Sequence, residues 1–245
     1  MDEAEEFGGG AQAVDAAGAA RRRAEMVEHQ IVARGVRSAA VLRAMREVPR
    51  ERFVDAEMAD RACDDSPLPI GEGQTISQPY IVAAMAEAAD VQPGDTVLEV
   101  GAGSGYAVAV LARLAAHVCG IERHATLADE ARTRLAALHI DNADVRQGDG
   151  TLGWPEDPQT HKARLFDAII VSAAGPEVPS ALKAQLALGG RLVMPVGDES
   201  GQQLVKLTRT GEHTFRQERI TPVRFVPLIG EQGWHTKTKG GGPAT

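Results

Sequence analysis

Thr96-Val97-Leu98-Glu99-Val100-Gly101-Ala102-Gly103-Ser104-Gly105-Tyr106 is the stretch on which the fold turns. Five residues dominated by apolar side chains run into three glycines spaced GxGxG, and an apolar helical run, 107–115, follows. That order predicts a strand passing through a tight turn into a helix. Glycines in such a turn let the backbone bend sharply and come close to a bound molecule. A dinucleotide fingerprint, GxGxxG, would put its third glycine where this chain has Tyr106, so a nicotinamide dinucleotide is disfavoured.

Outward from this turn, short apolar runs alternate with helical ones. Residues 118–121, 145–147, 166–171 and 191–196 read as further strands, and 127–138 and 179–186 as helices between them. The alternation predicts right-handed βαβ units around a largely parallel sheet. Two later runs, 204–208 and 223–228, leave no room for crossover helices and predict antiparallel pairing at the far edge. The fold class is therefore α/β, a doubly wound, mostly parallel seven-stranded sheet of Rossmann-like type. Upstream, Met26, Val27, Gln30 and Ile31 share one helical face. After Ser38 as N-cap, Val41, Leu42, Met45 and Val48 repeat the 3.6-residue period as far as Pro49. These make a helical preface.

The expected organisation is a disordered tail over 1–23, a single domain over 24–235, and a second disordered tail over 236–245. Within the domain, 24–92 hold the helical preface and a substrate loop, 93–200 a cofactor-binding core, and 201–235 the C-terminal strands. Both tails have too little apolar content to offset the entropy of ordering.

Among the 245 residues, 26 Lys and Arg stand against 34 Asp and Glu, a formal charge of −8. Nucleic-acid affinity rests on clustered cations, and Arg21-Arg22-Arg23 reads as a solvated helix start, so no nucleic-acid partner is expected. No stretch approaches the ~18 apolar residues of a membrane span, and Met1-Asp2-Glu3-Ala4-Glu5-Glu6 is no signal sequence. A cytoplasmic monomer without membrane contact is expected. Cys63 and Cys119 and the seven histidines lack metal-ligand spacing, so no metal is expected.

Three acidic positions stand at or near the strand ends. Glu99 stands at the mouth of the glycine turn, Glu122 closes the second strand, and Asp149 follows the third in Gly148-Asp149-Gly150. A carboxylate in the place of Glu122 can accept both hydroxyls of a ribose. Glu99 would repel a phosphate and favour a sulfonium or ammonium group. S-adenosylmethionine satisfies this charge pattern. The segment 61–80 carries three prolines and no sustained period, and a loop of that length in a compact domain is more often functional than not.

Taken together, the chain resembles the protein-L-isoaspartate (D-aspartate) O-methyltransferase family, from about Met26 to Trp234. The resemblance is strongest in Pro67-Leu68-Pro69-Ile70-Gly71-Glu72-Gly73-Gln74-Thr75-Ile76-Ser77-Gln78-Pro79-Tyr80. It extends to Val48-Pro49-Arg50-Glu51-Arg52-Phe53-Val54, to 97–106, to Gly148-Asp149-Gly150, to 166–171 and to Arg224-Phe225-Val226-Pro227-Leu228. It implies a class I S-adenosylmethionine-dependent methyltransferase that esterifies the α-carboxylate of isoaspartyl residues in proteins and peptides, starting their repair through a succinimide.

The active-site serine of that family falls on Ser77. Its cofactor contacts fall on Thr75, Ile76, Ser77, Glu99, Gly101, Gly103, Gly105, Glu122, Asp149 and Gly150, with Tyr80 at the cofactor edge. Asp65 and Arg224 are the candidate substrate contacts. Cys63-Asp64-Asp65-Ser66 lacks an aromatic common in relatives, and Tyr80 stands where several carry histidine.

The residues support this chemistry independently. An isoaspartyl carboxylate is ionised at pH 7, so attack on a sulfonium methyl needs positioning and water exclusion rather than a strong base. A serine before Gln78-Pro79 could also serve only as a helix cap. Rival readings are a relative dedicated to aspartate methylation in one natural-product peptide, a non-catalytic binding module, and an oxidoreductase.

Overall fold

The computed structural model describes residues 16–235. The chain opens on helix α1 (Ala16–Met26), tightens through one π turn and one 3-10 turn, and stops at Gly35, whose φ is +100°. Helix α2 (Ala39–Glu47) follows, with Ser38 Oγ accepting the Val41 N–H at 3.4 Å, and ends at Val48 before Pro49. The helix thus starts inside the stretch expected to be a disordered tail. Residues 16–23 are ordered because Ala19 packs into the interior and Arg23 pairs with Glu51 and donates to Arg46 O. Residues 1–15 and 236–245 lie outside the described residues.

A short antiparallel ribbon, β1 (Leu68–Pro69) with β2 (Thr75–Ile76), precedes α3 (Pro79–Ala88). The alternating core then runs β3 (Thr96–Val100), α4 (Tyr106–Ala112), β4 (His117–Glu122), α5 (Ala125–Ala137), β5 (Ala143–Gln147), β6 (Phe166–Val171), α6 (Ser180–Ala184) and β7 (Leu186–Asp198). The chain finishes with β8 (Gly201–Arg209) and β9 (Phe215–Val223).

One seven-stranded sheet has the order β5-β4-β3-β6-β7-β8-β9, parallel from β5 to β7 and antiparallel thereafter. Its central strands are apolar on both faces because helices cover both. Cys119, Leu98, Ile169 and Leu192 stand side by side across β4, β3, β6 and β7, all completely buried. From β3 the chain winds first toward β4 and β5, then returns to β6 on the other side. Ligands of doubly wound sheets bind outside the strands' carboxyl ends at such a reversal.

One strand differs from expectation. The seventh spans Phe215–Val223 rather than 223–228. Its Arg216, Gln217, Glu218 and Arg219 are exposed, so no apolar alternation marks it, and main-chain pairing with β8 holds it. The apolar run 225–228 instead crosses the carboxyl ends of the sheet. There Ala174 N–H donates to Val226 O and Leu228 N–H to Ala174 O, each at 2.8 Å.

Gly105 ends the glycine turn at φ +89°, and a Cβ there would lie 3.1 Å from Ala131 Cβ on α5. A left-handed conformation costs a side-chain-bearing residue roughly 1–2 kcal/mol. Gly105→Ala is expected to lower stability by at least that amount, read as a fall in the urea midpoint at unchanged m-value. An unshifted midpoint refutes the strain.

Candidate active site

The glycine turn is tied to the next strand through a carboxylate. Glu122 closes β4, is nearly buried, and accepts the Gly103 N–H and the His124 N–H, one on each oxygen, both at 2.9 Å. Gly103 has φ +53°, and a Cβ would sit 3.2 Å from Ile70 Cδ1 of the preceding loop, so the turn and the loop touch only because this residue has no side chain. A cavity opens beside Glu122, bounded by Thr75, Gly101, Gly103, Gly150 and Ser172 and closed by the C-terminal run 226–229.

Through Thr75, Gly101, Gly103 and Ser172 this cavity adjoins a second one, lined also by Ile76, Ser77 and Glu99. Glu99 is completely buried on β3. Its Oε1 accepts from Ser172 Oγ at 3.2 Å, and its Oε2 has no hydrogen-bond partner. Burial pushes its pKa up to about 8, against the opposing Ser172 bond and with help from the nearby Glu122 charge. A buried carboxylate oxygen with nothing to pair with is costly. A cationic group in the cavity would remove that cost.

Ser77 lines the second cavity and a third, apolar one beside Val82, Met85 and Leu111. Its hydroxyl makes no hydrogen bond among the described residues. Helix α3 is capped instead by Gln78, whose carbonyl takes the Ile81 and Val82 N–H groups at 3.1 and 3.3 Å. Ser77 is therefore not the helix cap, and its hydroxyl is left unengaged in a residue that lines the crevice.

Thr75, Ile76, Ser77, Glu99, Gly101, Gly103, Glu122 and Gly150 all border this crevice, and Gly105 supports it from behind as the last residue before α4. Asp149 sits beside it but faces the C-terminal segment. One oxygen accepts the Thr151 N–H and hydroxyl, and the other the Glu231 N–H at 2.8 Å. Partial burial raises its pKa, but these bonds outweigh it and hold the carboxyl below the usual range.

Three expected site residues line neither of these two cavities. The Tyr80 ring is stacked under the Arg34 guanidinium, 3.6 Å from its centroid, and borders neither cofactor cavity. Asp65 faces Arg34 at 3.4 Å and accepts from Gln78 Nε2 at 2.7 Å. Arg34, Asp65, Tyr80 and Gln78 thus clasp the serine loop from its outer side. Arg224 is exposed just past β9 and makes no hydrogen bond or ion pair among the described residues. Sequence reasoning passed over Ser172, although a small polar residue directly after the fourth parallel strand was a usable signal.

A larger open groove, lined by Asp198, Phe225 and Trp234 among others, lies outside the C-terminal segment and contains no residue of the glycine or serine loops. Most of the expected site residues line the smaller crevice. It offers a pinned carboxylate suited to a diol, a partnerless buried carboxylate suited to a cation, and an unengaged hydroxyl between them and an apolar wall.

Residues 21–233 match the family model described as protein-L-isoaspartate(D-aspartate) O-methyltransferase. The chain is 59% identical over 221 residues to protein-L-isoaspartate O-methyltransferase 1 of Rhodopseudomonas palustris, covering 90% of this chain and 88% of that one. It is 59% identical over 210 residues to the protein-L-isoaspartate O-methyltransferase of Methylorubrum extorquens, covering 86% and 89%. Among solved structures it is similar to a Plasmodium falciparum protein-L-isoaspartate O-methyltransferase in complex with S-adenosyl-L-homocysteine. That likeness has a TM-score of 0.73 and 26% identity over 84% of this chain and 98% of the other.

Glu99 yields a prediction for the ligand-free protein. With a folded pKa of about 8 against 4.5 for the free side chain, the folded chain keeps a proton that the unfolded chain releases between those values. Stability therefore falls as pH rises through that window. Glu99→Gln is expected to unfold near the parent's temperature at pH 5 and several degrees above it at pH 8.5, by calorimetry. An equal gap at both pH values counts against a neutral Glu99.

Proposed function

The chain belongs to the protein-L-isoaspartate(D-aspartate) O-methyltransferase family, and we propose that within its crevice Ser77 presents the acceptor carboxylate while Glu99 and Glu122 hold the methyl donor. The enzyme is an S-adenosylmethionine-dependent carboxyl methyltransferase acting on isoaspartyl residues. The observation that carries the assignment of roles is that Ser77, whose hydroxyl makes no hydrogen bond among the described residues, and Glu99, whose Oε2 has no partner, line one cavity.

The donor site fits its ligand on the residues present. Glu122, with its carboxylate pinned by two N–H groups, keeps lone pairs for ribose hydroxyls. The Glu99 oxygen answers a positive centre, while Gly101, Gly103 and Gly150 leave backbone rather than side chain along the ligand's path, with Thr75 and Ile76 as the opposite wall. Asp149 holds the C-terminal segment over the adenosine end. When bound, S-adenosylmethionine supplies a methyl group on a cationic sulfur, ready for transfer to an oxygen nucleophile.

At the acceptor side the residues have little proton chemistry to do. The isoaspartyl α-carboxylate is already ionised at neutral pH. Ser77 donates to one of its oxygens, which orients the other toward the donor and holds the reacting pair in place. Ile76 and Val82 exclude water from that contact. This accounts for a crevice with no histidine among its lining residues. The resulting methyl ester is a better electrophile than a carboxylate, so the neighbouring backbone amide nitrogen attacks its carbonyl, loses its proton and expels methanol, closing the succinimide without further help from the protein.

Polyanions are unsuited as partners, since 34 acidic residues outnumber 26 basic ones. Among the described residues no helix is long and apolar enough to cross a membrane.

Methyl transfer from labelled S-adenosylmethionine to an isoaspartyl peptide should give a base-labile ester, and the matching aspartyl peptide should give essentially none. Ser77→Ala is expected to lower kcat by about 10²-fold, the usual cost of removing one aimed donor, with S-adenosylhomocysteine affinity kept. Equal turnover of both peptides would reject the acceptor assignment; lost cofactor binding in the variant would reject the serine's role.

A further inference from the structure

Arg50 follows α2 in Val48-Pro49-Arg50-Glu51-Arg52-Phe53, and its side chain is completely buried. Its Nε donates to Ala62 O and its Nη2 to Ser77 O, each at 2.7 Å. The guanidinium stands over the Tyr106 ring, 4.7 Å from the centroid, and that ring meets Phe53 edge-on at 5.5 Å. Nη1 has no hydrogen-bond partner, and among the described residues no carboxylate pairs with Arg50.

An arginine stays protonated in proteins. This one is therefore a buried cation compensated by two carbonyls and an aromatic face, an arrangement that apolar side chains of similar volume usually match or exceed in stability. Packing alone gives no reason for it. Its contacts do, because they join three separate blocks of the sequence: the turn after α2, the glycine turn through Tyr106, and the serine loop through the Ser77 carbonyl.

We propose that Arg50 is the positioning residue of the acceptor serine: its bond to the Ser77 carbonyl holds the main chain in the conformation that turns the Ser77 hydroxyl toward the cavity shared with Glu99. The same guanidinium places a positive charge without a carboxylate partner next to the Ser77 main chain. Preorganised charges of this kind favour an anionic acceptor next to a cationic donor. Tyr106, occupying the place of a third glycine, is the platform that keeps the guanidinium in line.

The inference rests on the assigned role of Ser77, so its test is a double-mutant cycle in the intact protein: Arg50→Met, Ser77→Ala and the pair. The readouts are kcat and KM for an isoaspartyl peptide and calorimetric affinity for S-adenosylhomocysteine. Arg50→Met should lower kcat about 10²-fold, as misplacement of a reacting group by about 1 Å does, with cofactor affinity changed by no more than about twofold. In the Ser77→Ala background the same substitution should cost no more than about twofold, because the group it positions is gone. Arg50→Lys, which keeps the charge and can reach one carbonyl, should recover part of kcat. Equal losses in both backgrounds, or an unchanged kcat, overturn the proposal. If Arg50→Met does not fold, Arg50→Lys is carried through the same cycle under the same criteria. Native kcat in Ser77→Ala brings down the serine's role and this proposal with it, whereas equal losses bring down this proposal alone.

Discussion

The Glu122 carboxylate, accepting one N–H from the turn after β3 and one from the turn after β4, is the interaction on which the crevice depends. β3 and β4 stay paired to their carboxyl ends, where the Gly101 and Ala102 N–H groups donate to Ile121 O at 2.8 and 3.1 Å. Beyond those bonds the loops that follow could adopt many spacings. The carboxylate sets that spacing in a buried environment, where charge-assisted hydrogen bonds are strong. It thereby locates the glycine turn against Ile70 and, through β1 and β2, against the serine loop. Geometry at one strand end is passed to the acceptor side by contacts, with no flexible intermediary.

Two groups in the same region are held at an energetic disadvantage. Glu99 keeps one buried oxygen unpaired and Arg50 one buried nitrogen. Neither improves the resting fold. Glu99 lines the cavity proposed for the cationic donor, and Arg50 bonds the main chain of Ser77, the residue proposed to hold the anionic acceptor. Stability given up in the empty protein is thus recovered as electrostatic complementarity when the crevice is filled.

The parallel core was legible because strands covered on both faces are continuous apolar runs. β3 and β6 have the bounds expected from Thr96–Val100 and Phe166–Val171. β9 was not legible, since an exposed edge strand held by main-chain pairing leaves no periodic trace. In the crevice, residues attached to strand ends or to the glycine turn could be placed from sequence, because the sheet fixes where a strand ends. Asp65, Tyr80 and Arg224 line neither cavity, and nothing in a loop's sequence says which way its side chains turn; Tyr80 turns to Arg34. Arg50 was hidden for the opposite reason. In a charged stretch, Arg50-Glu51-Arg52, an arginine reads as solvent-exposed, and only the tertiary structure reveals the two carbonyls that draw it inward.

The segment closing the crevice is attached partly by backbone and partly by the Gln232, Trp234 and Leu228 side chains. Ala174 exchanges main-chain hydrogen bonds with Val226 and Leu228, and Asp149 grips the amide of Glu231. Such bonds are indifferent to which side chains the segment carries. Apart from Leu228, Gly230, Gln232, Gly233 and Trp234, which are held by their own contacts, its positions can diverge between homologues without unseating the roof of the ligand chamber, so the texture a client polypeptide meets can be reshaped by drift while the chemistry beneath keeps its form.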